Sequence, residues 1–377
     1  MKILINCSNL RVGGGLQVAH SFIYELSKFS GHKYTVVLSK ELSCLFKDKT
    51  TFPPNFIFHI YNIPNSLLKS IMGKNIFLDR LVRSSDSEVV FSIFGPTYWK
   101  PHVRHICGYA KPQYIYKESP FFSQISILSK IKLRMKEIIQ LHAFNTQCDE
   151  LISENLNVTN LLISFFPNKK LYTITNFYNQ IFDHRNEWDF SLTFPPFNGI
   201  TLLTIAVNYP HKNLRIIPKV ISYLKNNKPN FKFRFVLTLD ENDFLLSDDI
   251  KKHILFIGRV TINQCPYLYE QCNFMFLPTL LECFSASYPE AMKMEKPILT
   301  SDLDFAHGLC GEAAVYFNPI SPEDIGNKIY LLANSIEKQK ALMEKGKQRL
   351  LTFDNYENRT TKYLNIITQN ASTHSRP

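Results

Sequence analysis

Residues 274–292 run Phe274-Met275-Phe276-Leu277-Pro278-Thr279-Leu280-Leu281-Glu282-Cys283-Phe284-Ser285-Ala286-Ser287-Tyr288-Pro289-Glu290-Ala291-Met292. Four consecutive apolar residues closed by a proline read as a strand buried on both faces. From Ser287 to Met294 the composition turns helical, with Ser285 or Ser287 able to cap the helix and Glu290 in its first turn. A continuous apolar strand that feeds a helix is half of a βαβ unit, in which the strands run parallel.

The same alternation extends in both directions. Apolar runs recur at Leu202–Val207, Phe233–Leu239, Ile254–Ile257, Ile298–Thr300 and Val315–Phe317, with helical stretches such as Lys212–Lys225 between them. A further helix opens at Ser321-Pro322-Glu323-Asp324, where serine, proline and acid suit the N-cap, the first turn and a capping box. Towards the N-terminus the runs are Ile3–Cys7, Tyr34–Leu38, Phe56–Ile60, Val89–Ile93, Val103–Cys107, Leu151–Ser153 and Leu171–Thr175. Between the first two, Val18, Phe22, Ile23 and Leu26 mark the buried face of a helix over Gln17–Phe29. A chain of 377 residues exceeds one ordinary core, so the pattern predicts an α/β protein of two doubly wound parallel-sheet domains. Trp188, Pro195, Pro196 and Gly199 interrupt both periodicities. They set the expected division at 1–190, 191–360 and a C-terminal segment 361–377 that frays over Ala371–Pro377.

Composition narrows the class. The chain is 45% hydrophobic and 20% charged, as a buried globular protein is and a disordered one is not. No apolar run is long enough to cross a membrane, and the N-terminus reads as a first strand in place of a signal peptide. A cytosolic protein is expected. The eight cysteines, Cys7, Cys44, Cys107, Cys148, Cys265, Cys272, Cys283 and Cys310, are scattered without a C-x-x-C pair. The spacing predicts neither a disulfide framework nor a zinc site. Charge is uneven: residues 1–195 hold 22 Lys+Arg against 14 Asp+Glu, a net of +8 out of +11 for the whole chain. Such a bias suits a polyanionic partner: membrane phosphates, a lipid diphosphate or nucleic acid.

Chemistry concentrates in four places. Glu282 and Glu290 stand eight residues apart, the first in a loop after a strand, the second at a helix start. Carboxylates so placed can accept hydrogen bonds from sugar hydroxyls, and a helix N-terminus suits a diphosphate. Ala206-Val207-Asn208-Tyr209-Pro210-His211-Lys212-Asn213 runs from a strand end towards a helix, where Lys212 can neutralise a departing oxyanion. Gly13-Gly14-Gly15 allows close backbone approach to a phosphate or acceptor, although it forms neither G-x-G-x-x-G nor a Walker pattern. Residues 98–136 interleave aromatic and basic side chains. Within them Ile127, Leu128, Ile131, Met135, Ile138 and Ile139 form an apolar helical stripe flanked by cations, suited to anionic lipid headgroups. Asp302-Leu303-Asp304 has metal-binding D-x-D spacing but follows a second-domain strand, and reads as structural.

The glutamate pair followed by Ala291-Met292 resembles the signature of the retaining glycosyltransferases of family 4. Lys296-Pro297-Ile298-Leu299-Thr300-Ser301-Asp302 and Gly311-Glu312-Ala313-Ala314-Val315-Tyr316-Phe317-Asn318-Pro319 extend the resemblance over residues 200–335. It implies a GT-B fold, two doubly wound domains facing each other across a cleft. It also implies a nucleotide-sugar donor and transfer without a metal or other cofactor. Under it Glu290 holds the donor ribose and Glu282 the transferred sugar, with the backbone of Cys283, Phe284 and Ser285 nearby. Lys212 meets the leaving diphosphate, with His211 beside it, and Gly13, Gly14 and Gly15 face donor phosphates and acceptor. Relatives often carry an arginine where this chain has Ala206 and Val207, and a histidine past the strand where Gly108-Tyr109 stand. With the basic first half, the expected acceptor is a lipid-linked saccharide of bacterial surface polysaccharide (O-antigen or capsule), reached at an anionic membrane surface on its cytoplasmic side, with no nucleic acid partner. Two other readings remain open: a binding protein of the same fold with weakened chemistry, and a glycoside hydrolase using the glutamates as a pair. The second is disfavoured because eight helical residues span about 12 Å, beyond the roughly 5–9.5 Å that hydrolases need.

Overall fold

Each of the thirteen apolar runs forms a strand in the computed structural model, which describes residues 1–46, 48–62 and 73–369. The stretch expected to fray, Ala371–Pro377, lies outside the described residues. The first sheet contains β1 (Lys2–Cys7), β2 (Lys33–Leu38), β3 (Phe56–Ile60), β4 (Val89–Ser92), β5 (Arg104–Gly108), β6 (Glu150–Ser153) and β7 (Lys170–Thr173). The second contains β8 (Ile200–Thr204), β9 (Phe233–Leu237), β10 (Ile254–Phe256), β11 (Phe274–Leu277), β12 (Ile298–Ser301) and β13 (Ala314–Phe317). Every pairing is parallel. The orders are β3-β2-β1-β4-β5-β6-β7 and β10-β9-β8-β11-β12-β13. In each sheet the order reverses beside the first strand, between β1 and β4 and between β8 and β11. The connections leaving those neighbours diverge, and the carboxyl ends of such strands are where open α/β sheets bind ligands.

By its contacts the chain forms two compact units. One comprises Met1–Ile115, Ile125–Asn176 and the residues from Asp354 onward; the other comprises Tyr116–Gln124 and Phe177–Phe353.

In the first unit the helix Gly14–Leu26 buries Ala19, Phe22, Ile23 and Leu26, the i, i+3, i+4, i+7 stripe of an amphipathic helix. It begins three residues earlier than the apolar spacing predicts, because Gly13 at φ 76° turns the chain directly into it. Its partner is the helix Tyr356–Thr368: the Tyr363 ring meets Phe22 at 5.2 Å and Phe91 at 5.0 Å. The far end of that helix is held by Arg104. This buried guanidinium forms a bidentate pair with Glu150, with both bonds at 2.8 Å. It also donates to the carbonyls of Ile366, Ile367 and Gln369, which a helix C-terminus otherwise leaves unpaired. Gly108 ends β5 where no side chain fits, since a Cβ there would lie 1.9 Å from the Ile93 carbonyl oxygen.

In the second unit the helix expected over Lys212–Lys225 starts later, at Ile217, and runs to Asn227. Asn213 adopts the left-handed conformation (φ 56°), which breaks the chain into two short 3₁₀ turns, and Pro218 then opens the helix proper. Val220, Ile221 and Leu224 bury its inner face with Ile217. The helix Ser287–Lys293 follows Ala286 without a side-chain cap, so neither Ser285 nor Ser287 caps it as expected. At Pro322–Ala333 the Ser321 hydroxyl does accept from the Asp324 amide. The Asp324 carboxylate accepts from the Asn318 amide, outside the reciprocal capping box.

Candidate functional site

The loops after β8 and β11, the two strands at the reversal of the second sheet, meet in one polar cluster. Thr279, fully buried, fixes their relative position. Its hydroxyl lies 3.2 Å from the His211 carbonyl and 3.0 Å from Glu282 Oε1, and the Leu280 amide donates to the same His211 carbonyl at 2.7 Å. Lys212, delivered by the 3₁₀ turn Pro210–Lys212, donates its ammonium to Glu282 Oε1. The two side chains singled out for catalysis are therefore a largely buried ion pair, with Glu282 only 8% exposed. Asn213 secures the turn from behind through its amide to the Pro319 carbonyl, 2.8 Å away. The His211 ring stacks on Tyr209 at 5.6 Å, and burial lowers its pKa and favours the neutral ring, against the pull of Glu282.

Glu290 lies in the first turn of Ser287–Lys293 and is 6% exposed. Its Oε2 accepts from the Tyr269 hydroxyl at 3.1 Å. Burial pushes its pKa up from 4.5 to about 7, and the tyrosine bond only partly opposes this. A carboxylate so poised has acceptor capacity to spare for a ligand's hydroxyls. Between the two glutamates Cys283 and Ser285 are buried, and Phe284 packs edge-on against Phe353 at 6.0 Å.

The glycine turn belongs to the first unit. A Cβ at Gly13 or Gly14 would meet nothing within 4 Å, and one at Gly15 would touch Phe94 and Leu10 at 3.5 and 3.6 Å. It follows β1 beside the β1/β4 reversal, the same topological place that the Lys212 turn occupies in the second sheet. Asp302 of the D-x-D spacing is engaged locally, 2.6 Å from His307 Nε2.

Three features had no advance signal. Thr279 is one. The segment Tyr116–Gln124 is another: it lies in the first half of the sequence yet belongs to the second unit, where Ser119 donates to the Leu280 carbonyl at 2.7 Å and Tyr116 packs edge-on to Phe305 at 5.9 Å. No periodicity reports which sheet a short connecting segment covers. The third is a buried cluster of His105, Cys107 and Cys148 in the first unit. Burial lowers the His105 pKa to about 4, so its ring is neutral.

Residues 187–349 match the family model described as Glycosyl transferases group 1. Among curated proteins the chain is similar to the O-antigen chain mannosyltransferase RfbU of Salmonella typhimurium, 25% identical over 125 residues. That match covers 31% of this chain and 34% of the relative, so the chain aligns with about a third of that protein's length. Among solved structures it is similar to a glycosyltransferase from Rickettsia africae, with TM-score 0.69 and 14% identity over 99% of both chains. It is also similar to HepE of Anabaena in complex with UDP and glucose, with TM-score 0.65 and 12% identity over 98% of this chain and 99% of that one. At such identities the structures establish the fold. Over residues 187–349 the chain is thus similar to the group 1 glycosyl transferases, and as a whole it shares the GT-B fold of these solved structures.

Proposed function

We propose that the chain is a retaining glycosyltransferase. It moves a hexosyl group from a nucleoside-diphosphate sugar to a hydroxyl of a lipid-linked saccharide in bacterial surface-polysaccharide assembly. The observation that carries this reading is the Lys212–Glu282 pair at the strand reversal, with the buried Glu290 carboxylate eight residues on, in the first turn of the next helix. In the proposed reaction the bond from the sugar's anomeric carbon to the diphosphate oxygen breaks, and the acceptor oxygen bonds to that carbon on the same face. The acceptor proton passes to the departing diphosphate. Lys212 meets the charge growing on that oxygen, which stabilises the transition state more than the ground state. Glu282 then exchanges part of its ion pair for sugar hydroxyls, beside the backbone of Cys283, Phe284 and Ser285, while Glu290 accepts from the ribose hydroxyls. His211 borders the diphosphate, and Gly13, Gly14 and Gly15 face the donor phosphates and the acceptor. No metal ion takes part in transfer.

The acceptor class is supported by the O-antigen mannosyltransferase relative and by the helix Ile127–Gln147. On that helix Ile127, Leu128, Ile131, Met135 and Ile138 are 53–75% exposed, among the exposed Lys130, Lys132, Arg134 and Lys136. Large apolar side chains at helical spacing between cations fit the interface of an anionic bilayer.

A thermal-shift panel of UDP-, GDP-, dTDP- and CMP-sugars, each with and without EDTA, tests the donor reading. One nucleotide is expected to raise the Tm, unaffected by EDTA and without effect on Glu290→Ala. If no nucleotide shifts the wild type, with or without anionic vesicles, the reading is wrong.

A further inference from the structure

Four potential metal-ligand atoms converge in the interior of the first unit, from positions the sequence scatters. His105 and Cys107 lie two apart on β5 and so share one face of the sheet. Ser92 on β4 is the register partner of Cys107. Cys148 arrives from the chain 41 residues later, as the residue that ends the helix Ile127–Gln147. Cys107 Sγ is 2.8 Å from Cys148 Sγ and 3.2 Å from His105 Nε2, and Ser92 Oγ is 2.8 Å from the same nitrogen. All four side chains are buried.

We propose that His105, Cys107 and Cys148 bind a zinc ion, with Ser92 Oγ as the fourth donor. Three features of the surroundings support it. His105 Nδ1 lies 2.7 Å from the Gln147 carbonyl. A bond there places the ring proton on Nδ1 and turns the Nε2 lone pair towards the sulfurs, the outer-shell arrangement of metal-binding histidines. The two sulfurs already lie side by side, within reach of one ion. Zinc bonds of about 2.3 Å set tetrahedral sulfurs about 3.8 Å apart. The sulfurs therefore need to separate by about 1 Å to reach that geometry, a movement within reach of Cys148 at the helix end. Last, the charges cancel. Zn²⁺ displaces one proton from each thiol, and an ion held by two thiolates, a neutral imidazole and a hydroxyl is neutral overall, as a dry interior requires. Asn6 Nδ2, 3.1 Å from Ser92 Oγ, orients the hydroxyl.

The ion would be structural, pinning β4 and β5 to the end of the helix that carries the exposed apolar stripe. It rests on no part of the transferase reading. Protein purified with reductant and without chelator is expected to contain about one zinc per chain by elemental analysis. Substituting Co²⁺ is expected to give thiolate charge-transfer and tetrahedral d–d absorption. His105→Ala and Cys148→Ser should each lose the metal, while Cys272→Ser, at a buried cysteine of the other unit, keeps it. Should these variants fail to fold, wild type stripped by chelator and titrated with Zn²⁺ against a chromophoric indicator gives the same answer. Two outcomes overturn the proposal: a non-reduced mass lower by two hydrogens, which makes the pair a disulfide, or two free thiols with no zinc bound and none taken up.

Discussion

Replacing Glu290 by glutamine separates the stability of the fold from recognition of the donor, and the two respond in opposite directions. Burial raises the Glu290 pKa from 4.5 to about 7. An acid raised in this way stabilises the fold fully below pH 4.5, and that contribution is lost as the pH rises through 7. At about 1.4 kcal/mol per pKa unit, the span amounts to about 3 kcal/mol. Glutamine keeps the shape and can still accept from the Tyr269 hydroxyl, but it has no charge to desolvate. The variant is therefore expected to lie within about 1 kcal/mol of wild type at pH 5 and to exceed it by up to about 3 kcal/mol near pH 8.5. Glu154 in the first unit is also pushed to about 7 by burial, and it adds the same slope to both proteins, so the difference profile isolates Glu290.

Donor binding runs the other way. Ribose hydroxyls donate best to an ionised carboxylate, so wild-type affinity should rise between pH 6 and 8. Glutamine should flatten that rise and weaken binding by about 1.5–3 kcal/mol, roughly 10- to 150-fold. Urea unfolding of both proteins from pH 5 to 8.5, with nucleotide-sugar titration calorimetry over the same range, measures the two effects. Parallel stability profiles would show that the Glu290 carboxyl is not desolvated as described. A stability difference without any loss of nucleotide affinity would refute its role in the clamp.

Lys212→Ala should lower the transfer rate by about 10²–10³ with a smaller effect on donor affinity. It should also destabilise the fold by about 3 kcal/mol, because Glu282 keeps its burial and loses its cation; single-turnover rates and denaturant midpoints report the two separately. Arg104→Met leaves Glu150 buried without a cation and three carbonyls at the end of Tyr356–Thr368 unpaired, a loss of about 3–5 kcal/mol, with amide exchange expected to speed first in that helix. Changing Lys130, Lys132 and Lys136 to glutamine should weaken sedimentation with anionic vesicles by about 3 kcal/mol. Ile131→Asp with Met135→Asp should abolish it, and neither change should alter nucleotide binding.

The strands were legible because parallel sheets covered on both faces demand unbroken apolar runs, and a run such as Phe274–Leu277 has no other economical reading. Helix boundaries were less so. Lys212–Lys225 has helical composition throughout, but the left-handed Asn213, tied through its side chain to Pro319, removes the first five residues, and that bond spans 106 positions. Glu282 and Lys212 could be singled out in the sequence as candidates. Their pairing could not, since it depends on Thr279 binding the two loops together. The cysteines mark the limit most sharply. Spacing rules find metal sites built on one hairpin or one turn, where ligands lie a few residues apart. Cys107 and Cys148 are joined by the β5–β6 crossover, so the distance that matters is set by sheet order and not by sequence. For a doubly wound protein this is general: chemistry at the ends of adjacent strands is contributed by residues that the intervening helices hold far apart in the chain. Reading such a sequence therefore requires laying out the strand order first and comparing residues across it, and only then looking for motifs.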